Sequence, residues 1–151
     1  MTPDVEVSRS IAASPEAVYA ALTDITRMGE WSPECVAAEW NDGATEAAVG
    51  ASFTGHNRNG DHEWTTEATI TELVPNERFF FDCSVRGFVF SKWGYSIEPT
   101  DTGCVVTEYA QDLRPKEALE WSAQISGVTD RLSHNRAGME ATLERLAAAV
   151  E

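Results

Sequence analysis

Few polar side chains in this 151-residue chain have the type and position needed for acid–base chemistry, and they lie far apart. His56 occurs where a strand-like segment runs out, and an imidazole there is a candidate general base. Glu108 follows Val106 in another such segment; if it faces inward without a partner, the pKa of its carboxyl group would rise and it could act as an acid. Asn135 interrupts an otherwise apolar stripe, and a buried Asn side chain needs hydrogen-bond partners.

Each polar candidate has a structural alternative that the sequence leaves open. His56 would then be an ordinary exposed histidine at a strand end, and Glu108 would face solvent on the outer side of a sheet. Asn135 would hydrogen-bond to a neighbouring strand rather than to a ligand. No two of the three have a spacing that forces their side chains together, so the sequence assigns no catalytic residue.

The sequence contains no recognisable metal or cofactor motif. Its three histidines lack metal-ligand spacing, and it has no HExxH motif or cysteine cluster. A GxSxG elbow, a glycine-rich phosphate loop and a dinucleotide-binding fingerprint are also missing. We therefore expect no metal and no cofactor, and no motif supports redox or acyl-transfer chemistry.

Charge and composition exclude several classes of partner. With 25 acidic and 11 basic residues the net charge is -14, which disfavours nucleic acid and anionic membrane surfaces. No apolar stretch reaches transmembrane length, and Met1–Glu6 does not resemble a secretory signal. Cys35, Cys83 and Cys104 have no CxxC spacing and are expected to be reduced thiols. These features predict a cytoplasmic protein without membrane insertion, either a monomer or a homodimer.

Alternating polarity predicts that most of the chain forms β-strands. Val5–Ile11 alternates as a first strand, and Ser14-Pro15-Glu16 then has the N-cap, proline and acidic residue typical of a helix start. A second helical turn is predicted from Asp24 to Glu30. Turn sequences such as Asn59-Gly60 divide the next part into hairpins. Further strands are predicted near residues 36–41, 49–57, 62–73, 78–85, 88–98 and 104–112, which gives seven antiparallel strands in one domain, residues 1–151.

The last third of the chain has helical periodicity. From Pro115 onwards, apolar residues recur in steps of three and four, which marks one face of a long amphipathic helix with a candidate kink at Gly127. Only short helices precede it, so this face must be buried against the sheet. A twisted sheet around one long helix tends to leave a cavity. The stripe residues expected to face the sheet are Trp121, Ile125, Val128, Leu132 and Asn135.

Aromatic side chains concentrate on the strand faces predicted to point at this helix. They form either a closely packed aromatic core or the walls of a cavity for an apolar ligand. We favour the cavity, because so many rings are difficult to pack against one helix and because buried Trp and Tyr need polar partners. A change of parity between Phe90 and Trp93 predicts a β-bulge near Ser91-Lys92. The predicted walls, besides the helix stripe, are Trp31, Phe53, Trp64, Phe79, Phe81, Phe90, Trp93 and Tyr95.

Five short segments, taken in order, carry a resemblance to a known family. They are Ser14-Pro15-Glu16-Ala17-Val18-Tyr19; Trp31-Ser32-Pro33-Glu34; Trp64 and Ile70 with Pro75-Asn76-Glu77-Arg78-Phe79; Trp93-Gly94-Tyr95 with Gly103-Cys104-Val105-Val106-Thr107-Glu108; and Asn135-Arg136-Ala137-Gly138-Met139 with Thr142-Leu143-Glu144-Arg145-Leu146. With their spacing, these segments resemble the START-like helix-grip superfamily (SRPBCC), and within it the polyketide cyclase/dehydrase-like branch, over nearly the whole chain.

The resemblance implies an α+β helix-grip fold, in which a seven-stranded antiparallel sheet wraps around a long C-terminal helix and two short helices follow the first strand. It also implies a deep pocket for hydrophobic molecules, since the superfamily includes lipid carriers, hormone sensors and aromatase/cyclases. We therefore expect intracellular binding or transport of a lipid or polyketide-like molecule. The alternatives are a cofactor-independent aromatase/cyclase or dehydratase that uses the same pocket, and a protein-binding role like that of a co-chaperone.

A cyclase would need polar groups in this pocket to enolise or dehydrate a poly-ketone. None of the available groups matches a cyclase catalytic residue by motif. The candidates are His56, Arg58, Glu34, Glu108, Tyr95, Tyr109 and Asn135.

Overall fold

The computed structural model describes all 151 residues as one antiparallel sheet and three α-helices. The strands are β1 (Val5–Ile11), β2 (Cys35–Trp40), β3 (Ser52–Asn59), β4 (His62–Val74), β5 (Arg78–Val85), β6 (Phe88–Thr100) and β7 (Gly103–Asp112). The helices are α1 (Pro15–Thr23), α2 (Leu119–Ser126) and α3 (Arg131–Val150), with 3₁₀-helices at Ile25–Glu30 and Lys116–Ala118. The predicted α+β helix-grip fold is confirmed.

The seven strands are ordered β1-β7-β6-β5-β4-β3-β2, so that all neighbours except β1 and β7 are consecutive in sequence. The sheet curls, and its inner face holds the side chains that alternate into the core, for example Phe53, Ile70, Phe79 and Val106. The α3 helix lies along β1 and β7 and contributes Leu143 and Leu146 to the same core, among other residues. Apolar alternation therefore determines which face of each strand is covered by helix.

The strand boundaries agree closely with those predicted from polarity, and β5 has the predicted limits. The register of β5 with β6 shifts between Cys83 and Ser84, which leaves Phe90 as the extra residue of a bulge. That bulge is one residue from the predicted position. It allows Phe90 and Trp93 both to be partly buried although their parity differs.

Local side-chain bonds fix the two short helices after β1. The Ser14 hydroxyl accepts a hydrogen bond from the Ala17 backbone N–H at 3.1 Å, which caps α1 where the sequence predicts its start. The Asp24 carboxylate accepts from the Thr26 N–H at 3.3 Å and caps the 3₁₀-helix. The predicted second helical turn from Asp24 to Glu30 is thus a 3₁₀-helix.

The predicted single C-terminal helix is divided into α2 and α3, and this corrects the predicted stripe. Gly127 ends α2 in the left-handed conformation (φ 71°), and Asp130 caps α3 by accepting a hydrogen bond from the Ser133 N–H at 3.1 Å. The break interrupts the helical periodicity between Ser126 and Arg131, so the stripe is not continuous across it. Trp121 and Leu132 are each 53% exposed, whereas Val128, between the helices, is 5% exposed. No helix has both the length and the apolar character needed to cross a membrane.

Candidate functional site

Tyr95 and Glu108 form a buried, hydrogen-bonded pair on the inner face of the sheet. The two residues are directly opposite in the β6–β7 ladder, and the Tyr95 hydroxyl donates a hydrogen bond to Glu108 Oε1 at 3.0 Å. Glu108 is 4% exposed, and its other oxygen, Oε2, has no hydrogen-bond partner. Buried polar atoms are almost always hydrogen-bonded, so this oxygen is a candidate for contact with a ligand.

Burial raises the pKa of Glu108 to about 8, although the hydrogen bond from Tyr95 opposes the shift. Burial also raises the pKa of the Tyr95 hydroxyl well above its usual value, and the neighbouring Glu108 adds to this. At neutral pH both groups are therefore mostly protonated. The pair can donate one hydrogen bond from the carboxyl group and accept others, which is the behaviour required of a polar anchor or of a general acid.

A row of aromatic rings packs against one side of this pair. The ring centroids of Phe79 and Tyr95 are 6.3 Å apart in a stacked arrangement, those of Phe79 and Phe81 are 5.3 Å apart, and Phe81 is 5.4 Å from Phe53. Trp40 continues the series, with its centroid 5.9 Å from that of Phe53. Because these rings pack directly against one another, this part of the interior is an aromatic core next to the Tyr95–Glu108 pair.

An open cleft of about 360 Å³ lies where α3 begins, at the β1–β7 edge of the sheet. Val5 and Ala110 are paired across the ladder there, and Glu108 lies two residues before Ala110 on the same face of β7. Met139 of α3 packs on Val5 and Ala110. The lining residues are Asp4, Val5, Ala110, Asp112, Arg131, Leu132 and Asn135.

Ion pairs tie the start of α3 to the segment before β2, beside this cleft. Arg131 Nη1 donates to Glu34 Oε1 and Oε2 at 2.9 and 2.8 Å, and to Asn135 Oδ1 at 3.3 Å. His134 Nε2 lies 2.8 Å from Glu34 Oε2, so this histidine is partnered by a carboxylate. We name Glu34, Arg131 and His134 the Glu34 cluster; it holds α3 over the open end of the curled sheet.

The predicted site residues fall into three groups by burial. Trp31, Phe53, Phe79, Phe81, Tyr95 and Val128 are buried; Trp64, Phe90, Trp93, Ile125 and Asn135 are half-buried; Trp121 and Leu132 are exposed. Trp64 and Phe90 are each the third residue of a strand that starts at the end of the sheet near α2, and Trp93 packs against the Val5–Ala110 cluster. The half-buried group therefore lies towards the open end, whereas most of the buried group belongs to the core.

His56 lies on the outer face of the sheet, away from the predicted pocket. Its Nε2 atom is 2.8 Å from the Glu39 carboxylate on β2, and its side chain is 44% exposed. Strand alternation explains this, because Phe53, Gly55 and Asn57 are the buried residues of β3. The structure therefore removes His56 as a general base for a molecule bound inside.

Two further polar candidates also face outwards. The Arg58 guanidinium pairs with Glu63 at 3.1 Å, and both side chains are more than half exposed. The Tyr109 hydroxyl lies 3.0 Å from Ser96 Oγ, and its ring stacks on Phe80 of the outer face. Of the candidates first considered, Tyr95, Glu108, Glu34 and Asn135 remain near the interior or its opening.

Sequence reasoning missed Arg131, which joins Glu34 to Asn135 at the cleft. Asp130 was a detectable sign that a helix starts there, since Asp is a preferred N-cap residue and here accepts a hydrogen bond from the Ser133 N–H. The contact itself had no sequence signal, because Arg131 and Glu34 are 97 positions apart.

Comparison with known proteins identifies the family. A family model described as polyketide cyclase / dehydrase and lipid transport matches residues 2–151. The solution structure of the Polyketide_cyc-like protein Cgl2372 from Corynebacterium glutamicum is 31% identical, with 97% of this chain and 87% of that chain covered and a TM-score of 0.57. No protein of curated function matches the sequence.

Two more distant structures share the fold. Protein CV1439 from Chromobacterium violaceum has a TM-score of 0.73 at 20% identity, with 99% of each chain covered. The di-domain ARO/CYC StfQ from the steffimycin biosynthetic pathway has a TM-score of 0.71 at 16% identity, with 97% of this chain and 49% of that chain covered. These two structures share only the fold, whereas the family match over residues 2–151 establishes that the chain belongs to the polyketide cyclase/dehydrase and lipid transport family.

Proposed function

We propose that the protein binds a hydrophobic small molecule between the inner face of the sheet and α3, with the Tyr95–Glu108 pair as its polar anchor. The observation that carries this proposal is the buried Oε2 atom of Glu108, which has no partner. An unpaired buried polar atom costs on the order of 1–3 kcal/mol. A ligand oxygen placed beside it would remove this cost, so that part of the binding free energy would come from satisfying Glu108.

The protonation state of Glu108 limits the ligand's polar group. With a pKa of about 8 the carboxyl group is mostly protonated at neutral pH, and it can donate a hydrogen bond. A ketone, ester or hydroxyl oxygen would accept it without introducing a charge into an apolar layer. We therefore expect a largely apolar ligand with at least one neutral oxygen, which suits the lipid or polyketide-like class named in the family description.

The cleft at the start of α3 supports a route to this anchor. Its volume of about 360 Å³ lies within the range of about 300–1,000 Å³ typical of small-molecule pockets. Val5 and Ala110 form its apolar floor, and Met139 packs on both. Met is flexible and readily changes rotamer, so a ligand entering here would displace Met139 to approach Glu108.

The half-buried residues at the open end are the proposed walls. They are Trp64, Phe90 and Trp93 of the sheet and Ile125 and Asn135 of the two helices, with exposed Leu132 at the rim. Asn135 uses its Oδ1 atom for Arg131, so its amide N–H₂ group is available to a ligand. The closely packed rings of Phe53, Phe79 and Phe81 would instead support the walls from behind.

Direct binding of an apolar fluorescent dye, with native mass spectrometry of ligand co-purified from the source cells, tests the proposal. Replacing Trp93 with Ala should weaken dye binding at least several-fold. The matched control is Phe88→Ala, because Phe88 is 58% exposed at the start of the same strand. Failure of the wild type to bind any apolar dye at micromolar protein concentration, with no co-purified ligand, would show that its own side chains fill the interior.

One observation favours a second candidate function, cofactor-independent cyclisation or dehydration of a poly-ketone. A carboxyl group with a pKa of about 8 beside a phenol is suited to exchange protons with a ketone oxygen near neutral pH. Incubation with a poly-ketone thioester mimic distinguishes the two functions. A regiospecific ring product that forms with wild type and is lost in Glu108→Gln would establish the cyclase; no such product, with retained binding, is our expectation.

A further inference from the structure

We propose that a second cleft, on the opposite edge of the sheet from the cleft at the start of α3, binds a small substituted ammonium ion. This cleft has a volume of about 390 Å³ and lies between α1 and the segment that joins β2 to β3. It shares no lining residue with the cleft at the start of α3. The inference is therefore independent of the function proposed for the interior.

Two aromatic side chains form the walls of this cleft. Trp40 packs edge-on against Phe53, with an interplanar angle of 82°, and it remains half-buried at the surface. Tyr19 lines the other side from α1; its carbonyl oxygen accepts a hydrogen bond from Thr23, whereas its hydroxyl group has no partner within the chain. Indole and phenol faces attract organic cations, and the indole face does so most strongly.

The charged side chains that line the cleft are all acidic. Asp24 and Glu46 line it, and no basic residue does. The Asp24 carboxylate already bonds to Thr26, whereas Glu46 is exposed and makes no ion pair or hydrogen bond, so its charge is available to a ligand. A cleft lined by two carboxylates and two aromatic side chains repels anions and favours cations.

The chemistry of the walls selects an organic cation over a metal ion. Divalent metals need several oxygen ligands in a defined geometry, and aromatic faces cannot provide them. A substituted ammonium ion is weakly hydrated, presents methyl groups to the rings and keeps its charge near the carboxylates. Such small ligands bind weakly, because a single cation–π contact and a single exposed charge each contribute little to the binding free energy.

NMR titration with choline tests the site, with the Trp40 indole N–H resonance as the readout. The protein has five tryptophans, and loss of one indole signal in Trp40→Phe assigns the resonance. Choline should shift this signal in a saturable way and leave the Trp93 signal unchanged, because the Trp93 N–H donates to Ser91 elsewhere. The uncharged analogue 3,3-dimethyl-1-butanol should shift it at least several-fold less at equal concentration.

Single substitutions separate the contribution of the Trp40 ring to choline binding from that of the Glu46 charge. Trp40→Leu should weaken choline binding about 5- to 30-fold, the factor expected for loss of a cation–π contact. Glu46→Gln should weaken it about 2- to 5-fold, as removal of one exposed charge would. Glu98→Gln is the matched control, since Glu98 is also exposed but lies near the end of β6, and it should have no effect.

Free ammonium compounds and methylated lysine side chains both carry a substituted ammonium group. A short peptide containing trimethyllysine, titrated beside choline, distinguishes them: tighter binding of the peptide assigns the site to a protein partner, and equal binding assigns it to a free ion. Equal shifts with choline and its uncharged analogue would overturn the proposal. A Trp40 resonance that does not move up to about 50 mM choline would also overturn it.

Discussion

Glu108 is held in an apolar layer with one carboxyl oxygen bonded to Tyr95 and the other without a partner. Its pKa is about 8 in the folded protein, against 4.5 as the usual value. Below pH 4.5 both the folded and unfolded states are protonated here, so this group adds no pH dependence. Between 4.5 and about 8 the unfolded chain ionises while the folded protein keeps the proton, and stability falls as pH rises.

The free energy of unfolding of wild type should therefore fall between pH 5 and 8 by about 3–4 kcal/mol more than that of Glu108→Gln, at about 1.4 kcal/mol per pH unit. Urea unfolding of both proteins across this range measures the difference. Glutamine copies the shape of the neutral acid but cannot ionise, so its profile should be flatter. Parallel profiles would show that Glu108 ionises in the folded protein at its usual pKa.

Removal of the hydroxyl group of Tyr95 can be compared with the same change at Tyr109, which lies on the outer face. Tyr95→Phe keeps the ring but removes the donor to Glu108, which leaves both carboxyl oxygens unpaired, and should destabilise the protein by about 1–3 kcal/mol. Tyr109→Phe removes a hydroxyl that contacts Ser96 on the outer face and should cost about 0.5–1 kcal/mol. Chemical denaturation compares them, and an equal cost would contradict a special role for the inner pair.

At the scale of elements, the break between α2 and α3 depends on Gly127. This residue has φ 71°, and a Cβ atom there would lie 2.6 Å from the His62 ring. Gly127→Ala should therefore destabilise the protein by about 1–3 kcal/mol. Gly138→Ala is the control, because it lies inside α3 with no atom closer than 3.7 Å to the added Cβ, and it should be neutral or stabilise by up to about 1 kcal/mol. Thermal unfolding of both variants decides whether the break is built into the fold.

The Glu34 cluster holds α3 in place across the open end of the sheet. Its Arg131 and Glu34 side chains are only 15% and 24% exposed, so Glu34→Gln should cost about 1–3 kcal/mol. Arg58 and Glu63 form an exposed ion pair, and Glu63→Gln should change stability by less than about 0.5 kcal/mol. Denaturant midpoints of the two variants test this, and similar midpoints would mean that the cluster does not fasten the helix.

At the scale of the whole molecule, an apolar ligand that binds only the folded state should stabilise it by mass action. At about 100 times its dissociation constant the gain is about 2.7 kcal/mol, which corresponds to an increase in melting temperature of about 5–10 °C for a domain of this size. Differential scanning fluorimetry of wild type and Trp93→Ala measures this, with a smaller shift expected for the variant. An equal shift in both would place the ligand away from the proposed walls.

The sequence by itself determined the order of the strands, their approximate limits and, where apolar residues alternate, the buried face of a strand. These features are local: alternation places Phe79 and Phe81 inside, Ser14 caps α1, and turn residues end each hairpin. It named Glu108 as one of several polar candidates but left open whether its carboxyl group faces the core or solvent.

Only the tertiary structure decided which of the candidate polar residues lie together inside the sheet. His56 and Glu108 both lie on alternating strands, yet one faces Glu39 outside and the other faces Tyr95 inside, because strand parity relative to the core cannot be fixed from a polar residue alone. The division of the last helix depends on Gly127 adopting a left-handed conformation beside His62, a contact across 65 positions that leaves no periodic signal. The cleft and the Glu34 cluster likewise join residues far apart in the chain, and such juxtapositions arise only when the sheet curls around α3.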